Sequence, residues 1–295
     1  MRDASPLRYP GGKWRLSPFF ERFLALNFSA PPKYVEPYAG GASLALSLLF
    51  SGSVREIWIN DLDPAIHAFW HSVLMRPGDF SRLIRTVPLT PSEWKKQKQI
   101  YANGIASGIF PLGFATFYLN RTNHSGILNG GMIGGKAQVG TWTISARFNR
   151  DELARRVLRI GQWRGQIHLS QRDAAVFLAA GGFDSETLLY LDPPYYRAGR
   201  ALYLNAYKPA DHATVRDTVA TTGSPWIVSY DHNNHIRNLY HGYRSRKLEL
   251  MHTARAAKIG KEFLFFSPRV RIPLVRSRTT RAPHHPQTTN GLSSD

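Results

Sequence analysis

Leu188-Leu189-Tyr190-Leu191-Asp192-Pro193-Pro194-Tyr195-Tyr196 runs four apolar residues into an acid, two prolines and two tyrosines. The apolar run predicts a buried strand. Proline cannot continue a central strand, so Asp192 is expected where the strand stops. In an open α/β sheet that point is the carboxyl edge, where ligands bind. An acid and a proline carbonyl offer fixed acceptors, and a tyrosine offers a flat aromatic face. Together they suit a planar base with an exocyclic amino group; the plainer reading is a strand followed by a proline-rich turn.

Upstream, Tyr34-Val35-Glu36-Pro37-Tyr38-Ala39-Gly40-Gly41-Ala42 leads into Ser43-Leu44-Ala45-Leu46. This order predicts a short strand, a glycine turn and an apolar helix, a layout that brings backbone N–H groups close to a bound cofactor. The Gly-x-Gly-x-x-Gly spacing is absent, and a simple strand-to-helix turn is the alternative. Ile57-Trp58-Ile59-Asn60-Asp61 reads as a second strand ending in an acid. Asp61 follows the glycine turn by about twenty residues, where an acid can accept from both hydroxyls of a ribose. Asp63-Pro64 is expected to cap a helix from Ala65 to Met75. Nearer the start, Tyr9-Pro10-Gly11-Gly12-Lys13 reads as a tight loop with a cation beside its glycines, followed by a helix from Ser17 to Leu26. Its spacing is not that of a Walker A loop.

From Arg76 to Arg164 the chain carries 14 Lys/Arg against 4 Asp/Glu, a net of +10 out of the whole chain's +18. Helices are expected ahead of Asn120 and from Arg150 to Ile160. Between them Asn120, Arg121, Asn123 and His124 are side-chain types that contact base edges and phosphates, as do Lys136 and Arg147. The glycine-rich stretch Gly130 to Lys136 is either a hairpin or a loop ordered by a partner. Glu152 lies four residues before Arg156, so part of the arginine stripe Arg155, Arg156 and Arg159 reads as a solvated face. Beyond the insert the α/β pattern resumes. A strand from Gln166 to Leu169 is followed by Asp173 and a helix to Ala180, so that Asp173 is either an N-cap or an acceptor for a cofactor's adenine amino group. Then come the strand into Asp192, a loop Arg197 to Lys208 with Tyr203 and Tyr207, and a helix from Asp211 to Thr221. Strands follow at Trp226 to Tyr230 and Lys261 to Ser267, with another at Glu249 to Thr253. His232 and His235 are three apart but have no evident third ligand, so no metal is expected.

The chain has 295 residues, enough for a sizeable core. Its formal net charge of +18 favours a polyanionic partner, nucleic acid ahead of an anionic membrane. No apolar run is long enough to span a bilayer, no secretory leader is read at the N-terminus, and a basic amphipathic membrane anchor is not evident. With no cysteine, disulfides, Cys-ligated zinc and thiolate nucleophiles are excluded; a cytoplasmic protein is expected. The stretch 277–295 is rich in Pro, Thr and Ser and reads as disordered.

In this order the motifs resemble those of the Dam-type, D12 class, alpha-group DNA adenine-N6 methyltransferases, over residues 6 to 268. The carriers are Tyr9 to Lys13, Glu36 to Ala42, Leu119-Asn120-Arg121 with Ser125-Gly126, Asp192 to Tyr195 and Ser229 to His232. The resemblance implies an α/β, Rossmann-like fold that uses S-adenosylmethionine, in two parts, 1–75 and 165–276, around an inserted, mainly helical target-recognition domain at 76–164. It further implies double-stranded DNA as substrate, a cognate restriction endonuclease as a partner, and base flipping with direct in-line transfer. Asp192, Pro193, Pro194 and Tyr195 take the catalytic positions. Tyr9, Gly12, Lys13, Glu36, Tyr38, Gly40, Asp61, Asp173 and Asp192 take those of the cofactor site. Asn120, Arg121, Asn123, His124, Lys136 and Arg147 take those that meet nucleic acid. The chain departs from the family where Phe-x-Gly-x-Gly becomes Tyr38-Ala39-Gly40-Gly41-Ala42. Its Arg-Thr-Asn-His-Ser-Gly also differs from the best-known GATC-methylating members, so no target sequence is carried over. An RNA amino-methyltransferase and a catalytically silent nucleic-acid-binding module of the same fold are the competing readings.

Overall fold

A computed structural model describes residues 4–8, 13–196, 207–252 and 258–274, with the backbone alone at 248–252 and 258–261. Tyr9, Gly12, Tyr203 and the tail expected to be disordered lie outside the described residues.

Among the described residues seven strands form one sheet in the order β3-β2-β1-β4-β5-β7-β6. They are β1 (Lys33–Glu36), β2 (Glu56–Asn60), β3 (Ile167–Ser170), β4 (Thr187–Leu191), β5 (Trp226–Asp231), β6 (Arg244–His252) and β7 (Lys258–Phe266). β1 to β5 are parallel, and β7 runs antiparallel between β5 and β6. The order reverses between β1 and β4, which makes their shared carboxyl edge the switch point of a Rossmann-like sheet. β6 begins five residues before the strand expected at Glu249, because its antiparallel ladder with β7 extends from Arg244 to His252.

Side chains alternate between the faces of a strand, and two cores result. Tyr34, Ile57, Ile59, Leu188, Tyr190, Ile227, Leu264 and Phe266 enter one of them. Val35, Leu189, Leu191, Trp226, Val228, Tyr230 and Phe265 enter the other. The first is covered by α1 (Ser17–Asn27), α2 (Ser43–Phe50) and α3 (Pro64–Met75); the second by α8 (Ala174–Ala180), α9 (Pro209–Thr221) and α10 (Asn234–Leu239). Both faces being covered explains why the central strands read as continuous apolar runs. Each large apolar side chain buried in this way contributes roughly 1.5–3 kcal/mol.

The basic segment supplies α4 (Pro77–Thr86), α5 (Pro91–Ala102), α6 (Ile109–Thr122) and α7 (Arg150–Gln162). Their apolar faces, including Phe80, Phe117, Leu153 and Val157, share the first core with the sheet. α6 crosses α3 at Gly113, where a Cβ would lie 2.3 Å from the Ala68 carbonyl oxygen, so no larger residue fits.

Candidate active site

Glu36, Asp192 and Glu262 meet at the carboxyl edge because of strand periodicity. Glu36 lies two residues beyond Tyr34, Asp192 two beyond Tyr190, and Glu262 two before Leu264, all on the face of the first core. β7 is antiparallel, so its early residues lie at the edge where the parallel strands end, with Glu262 opposite Asp231. Lys13 enters from the short turn Lys13–Leu16, just ahead of α1.

Lys13 is the hub, 5% exposed. Its Nζ donates to Glu262 Oε1 and Oε2 at 2.9 and 2.7 Å and to the Tyr195 hydroxyl at 2.7 Å, and lies 3.4 Å from Asp192 Oδ1. The Tyr195 hydroxyl donates to Glu262 Oε1 at 2.7 Å. Asp192 Oδ1 accepts from the Ser229 hydroxyl at 2.5 Å. Asp192 is a quarter exposed, Pro193 is buried, and Pro194 and Tyr195 are half-buried. Burial opposes the Lys13 charge, but Asp192, Tyr190 and Glu262 outweigh it and hold its pKa above the usual value. Burial raises the Asp192 pKa, with Lys13 acting against it, Glu262 adding to the rise and Ser229 opposing it.

Glu36 is buried beside them. Its Oε1 accepts from the Tyr34 hydroxyl at 2.9 Å and from the Ala45 N–H at 3.2 Å, so it caps the first turn of α2. Burial, assisted by the Asp192 charge, pushes its carboxyl up to about 8. Two carboxyl groups, Asp192 and Glu262, thus meet one ammonium, and the surplus negative charge suits a cationic ligand.

The glycine turn joins this edge to β2. Asp61 Oδ2 accepts the Gly40 N–H at 2.8 Å, and Oδ1 accepts the Asp63 N–H at 3.0 Å. Burial pushes the Asp61 carboxyl up to about 6. Asp63 caps α3 through the Ala65 N–H at 2.8 Å, as expected. Gly40 has φ +46°, and Ala42, just before α2, has φ +43°, the left-handed region that favours glycine. The Tyr38 hydroxyl accepts from that of Tyr207 at 3.0 Å. Asp173 is an N-cap: its Oδ1 accepts from Ala175 and Val176 N–H at 2.9 and 3.3 Å. Asp173 follows β3, whose end is tied to β2 by the Asn60 bond to the Arg172 carbonyl, which places it at the same edge.

Three residues expected to meet nucleic acid are scaffold instead. Asn120 is buried, accepting the Arg8 N–H at 2.7 Å and donating to the carbonyls of Arg8 and Gly126. Arg121 donates to the Pro6 carbonyl at 2.6 Å. Asn123 accepts from Trp94 Nε1 at 2.7 Å and donates to the carbonyls of Ile127 and Leu128. The physical reason is that the close of α6 is buried on all sides, leaving its polar side chains to satisfy loop backbone. His124, Lys136 and Arg147 are exposed. Gly130 to Lys136 is a turn region tied to α6 by the Ile133 N–H to Thr122 carbonyl bond at 2.9 Å. Arg155 and Arg156 both pair with Glu152, at 2.9 and 3.0 Å, in keeping with a solvated face. His232 stacks on Phe263 and His235 on Tyr196.

Sequence reading missed Glu262, and it missed Asn60, which bridges the Pro37 and Arg172 carbonyls at the ends of β1 and β3. The signal for Glu262 was present: an acid in period-two register with Leu264 and Phe266, at the head of the apolar run Phe263 to Phe266.

Among the described residues no helix is long and apolar enough to cross a membrane, and no group of three His, Cys, Asp or Glu could hold a metal ion. The family model described as D12 class N6 adenine-specific DNA methyltransferase matches residues 9–254. No curated protein matches the chain. Among solved structures, the rRNA methyltransferase aviRa from Streptomyces viridochromogenes is similar at 14% identity and a TM-score of 0.41, over 88% of this chain and 86% of that one. The precorrin-6y C5,15-methyltransferase from Geobacter metallireducens GS-15 is similar at 9% identity and a TM-score of 0.33, over 83% and 85%. At these identities and scores nothing about substrate follows from them.

Proposed function

Because the chain belongs to the D12 class N6 adenine-specific DNA methyltransferases, whose methyl donor is S-adenosylmethionine, we propose that it methylates adenine N6 within double-stranded DNA at the edge formed by Asp192 to Tyr195. The observation that carries this is the state of the tetrapeptide: a quarter-exposed Asp192 carboxylate beside the half-buried ring of Tyr195 at the switch point of the sheet.

The residues fit the donor. The carboxyl groups of Asp192 and Glu262 outnumber the ammonium of Lys13, as a sulfonium requires, and Asp61 offers acceptors to ribose hydroxyls beside the Gly40 turn. Glu36, Tyr38, Gly40, Asp61 and Asp173 would hold it, and it supplies an electrophilic methyl group when bound. Lys13, read from the sequence as a cofactor residue, fits better as the cation that steadies the tetrapeptide.

The chemistry asked of the chain is positioning. An adenine inside a duplex must be flipped out, at a cost of a few kcal/mol. The Tyr195 ring would stack on it. Asp192 and the Pro193 carbonyl would accept from its amino group and so orient the nitrogen lone pair for in-line transfer. Neither group needs to be a strong base, because the nitrogen becomes acidic as the new bond forms. Residues 76–164 act as the recognition insert in this reading, with His124, Lys136 and Arg147 presented to the nucleic acid and Asn120, Arg121 and Asn123 supporting them from within.

The test is incubation with labelled S-adenosylmethionine and duplex DNA, followed by digestion to nucleosides. Label is expected on N6-methyl-2′-deoxyadenosine from DNA. Label on RNA alone, or on cytosine, overturns the proposal. Asp192→Ala is expected to abolish transfer.

A further inference from the structure

We infer that Glu262 is a positioning residue for the tetrapeptide: it holds the Lys13 ammonium off Asp192 and fixes the Tyr195 ring through its hydroxyl. The inference rests on the proposed function only in taking Asp192 and Tyr195 as the groups that meet the base.

Glu262 is 1% exposed and 249 residues from Lys13 in the chain. An ammonium has three protons to donate. Those of Lys13 are engaged by the two Glu262 oxygens and the Tyr195 hydroxyl, all at 2.7–2.9 Å. The contact with Asp192 at 3.4 Å is therefore the loosest of the four. Asp192 Oδ1 has Ser229 for a donor, and among the described residues Oδ2 accepts no hydrogen bond, which leaves an acceptor for an amino group. The Tyr195 hydroxyl both accepts from Lys13 and donates to Glu262. A phenol held at both of its hydrogen-bonding functions cannot swing its far end away, so the ring stays beside Asp192.

Removing the Glu262 charge changes both arms. Lys13 would be left with Asp192 as its nearby carboxylate, and a buried cation moves to the anion that remains. The ammonium would then close on Asp192 Oδ1, displacing the Ser229 bond that sets the carboxylate's orientation toward the amino group, while Tyr195 would lose its anionic anchor.

The experiment compares wild type, Glu262→Gln, Glu262→Asp and Tyr195→Phe. Glu262→Gln is expected to keep DNA affinity and KM while kcat falls about 10²-fold, the cost of a small misplacement. Its crystal structure is expected to have Lys13 Nζ closed onto Asp192. Glu262→Asp, which keeps the charge, is expected to recover part of kcat. A Glu262→Gln enzyme with unchanged kcat, or a crystal structure with Lys13 where it stands in wild type, overturns the inference. Should Glu262→Gln fail to fold, Tyr195→Phe decides, because it leaves the Lys13–Glu262 pair intact. A kcat loss of about tenfold at unchanged DNA affinity supports the hydroxyl anchor, and an unchanged kcat overturns it. If wild type methylates no adenine, the proposed function fails, and the crystal structure of Glu262→Gln still decides the placement of Lys13.

Discussion

Ser229 donates its hydroxyl hydrogen to Asp192 Oδ1 at 2.5 Å, tying the side chains at the carboxyl ends of β4 and β5 together. Ser229 is itself buried and also meets the Tyr190 hydroxyl at 2.9 Å. A hydrogen bond to the charged form lowers a carboxyl pKa. Ser229→Ala is therefore expected to raise the Asp192 pKa and move the acid limb of the kcat/KM profile to higher pH. On the plateau kcat is expected to fall about tenfold, the worth of one hydrogen bond to a charged group. A limb that stays put, read in a pH–rate series, would remove Ser229 from the site.

Glu36 makes stability depend on pH. Its carboxyl moves from an ordinary 4.5 to about 8 in the folded chain. Between those values the folded state keeps a proton that the unfolded state has released, so its contribution is full below about 4.5 and is lost as pH rises through about 8. Asp61, raised from 3.8 to about 6, adds a loss at lower pH with the same sign. Thermal melts between pH 5 and 8 are expected to show stability falling for wild type and falling less for Glu36→Gln, by on the order of a few kcal/mol. Parallel curves for the two proteins would contradict the assignment.

Ala42 holds φ +43° and ψ 33° at the entry to α2. A left-handed backbone costs a residue with a Cβ about 1–2 kcal/mol, and glycine recovers most of that against its larger unfolded-state entropy. Ala42→Gly is expected to stabilise the protein by about 0.5–1 kcal/mol. Chemical denaturation measures this directly, and a destabilised variant would refute it.

Lys136 and Arg147 should separate from Asn123 by their phenotype. The two cations are exposed, and each phosphate contact removed is expected to reduce the slope of log affinity against log salt by about 0.9. Asn123→Ala strands the buried partners Trp94 Nε1 and the Ile127 and Leu128 carbonyls, and is expected to cost about 1–3 kcal/mol of stability. Filter-binding titrations over salt, set beside melts, distinguish these outcomes. An unchanged salt slope in both cation variants would take that surface out of the nucleic-acid interface.

Much of this architecture is legible in the sequence because it is built from strong local signals. Proline after Leu191 ends β4, glycines turn the chain after β1, and Asp63-Pro64 starts α3. Each element has a covalent or hydrogen-bonding reason that acts within a few residues. The polar residues at the close of α6 were misread for the opposite reason. Asn, Arg and Asn have the same chemistry whether they face a base or an orphaned carbonyl, and only tertiary burial decides. Glu262 was passed over because its partners, Lys13 and Tyr195, are distant in sequence and are brought to it by an antiparallel strand that enters the sheet last.

The paired hydrogen bonds between the Asn120 side chain and the Arg8 backbone have a mechanical consequence. Arg8 is five residues from Lys13, a length of chain that spans at most ~18 Å when fully drawn out. The end of α6 and the ammonium at the catalytic edge are thus moored to one short tether. The covalent chain therefore limits how far the end of α6 can be drawn from the Lys13 ammonium.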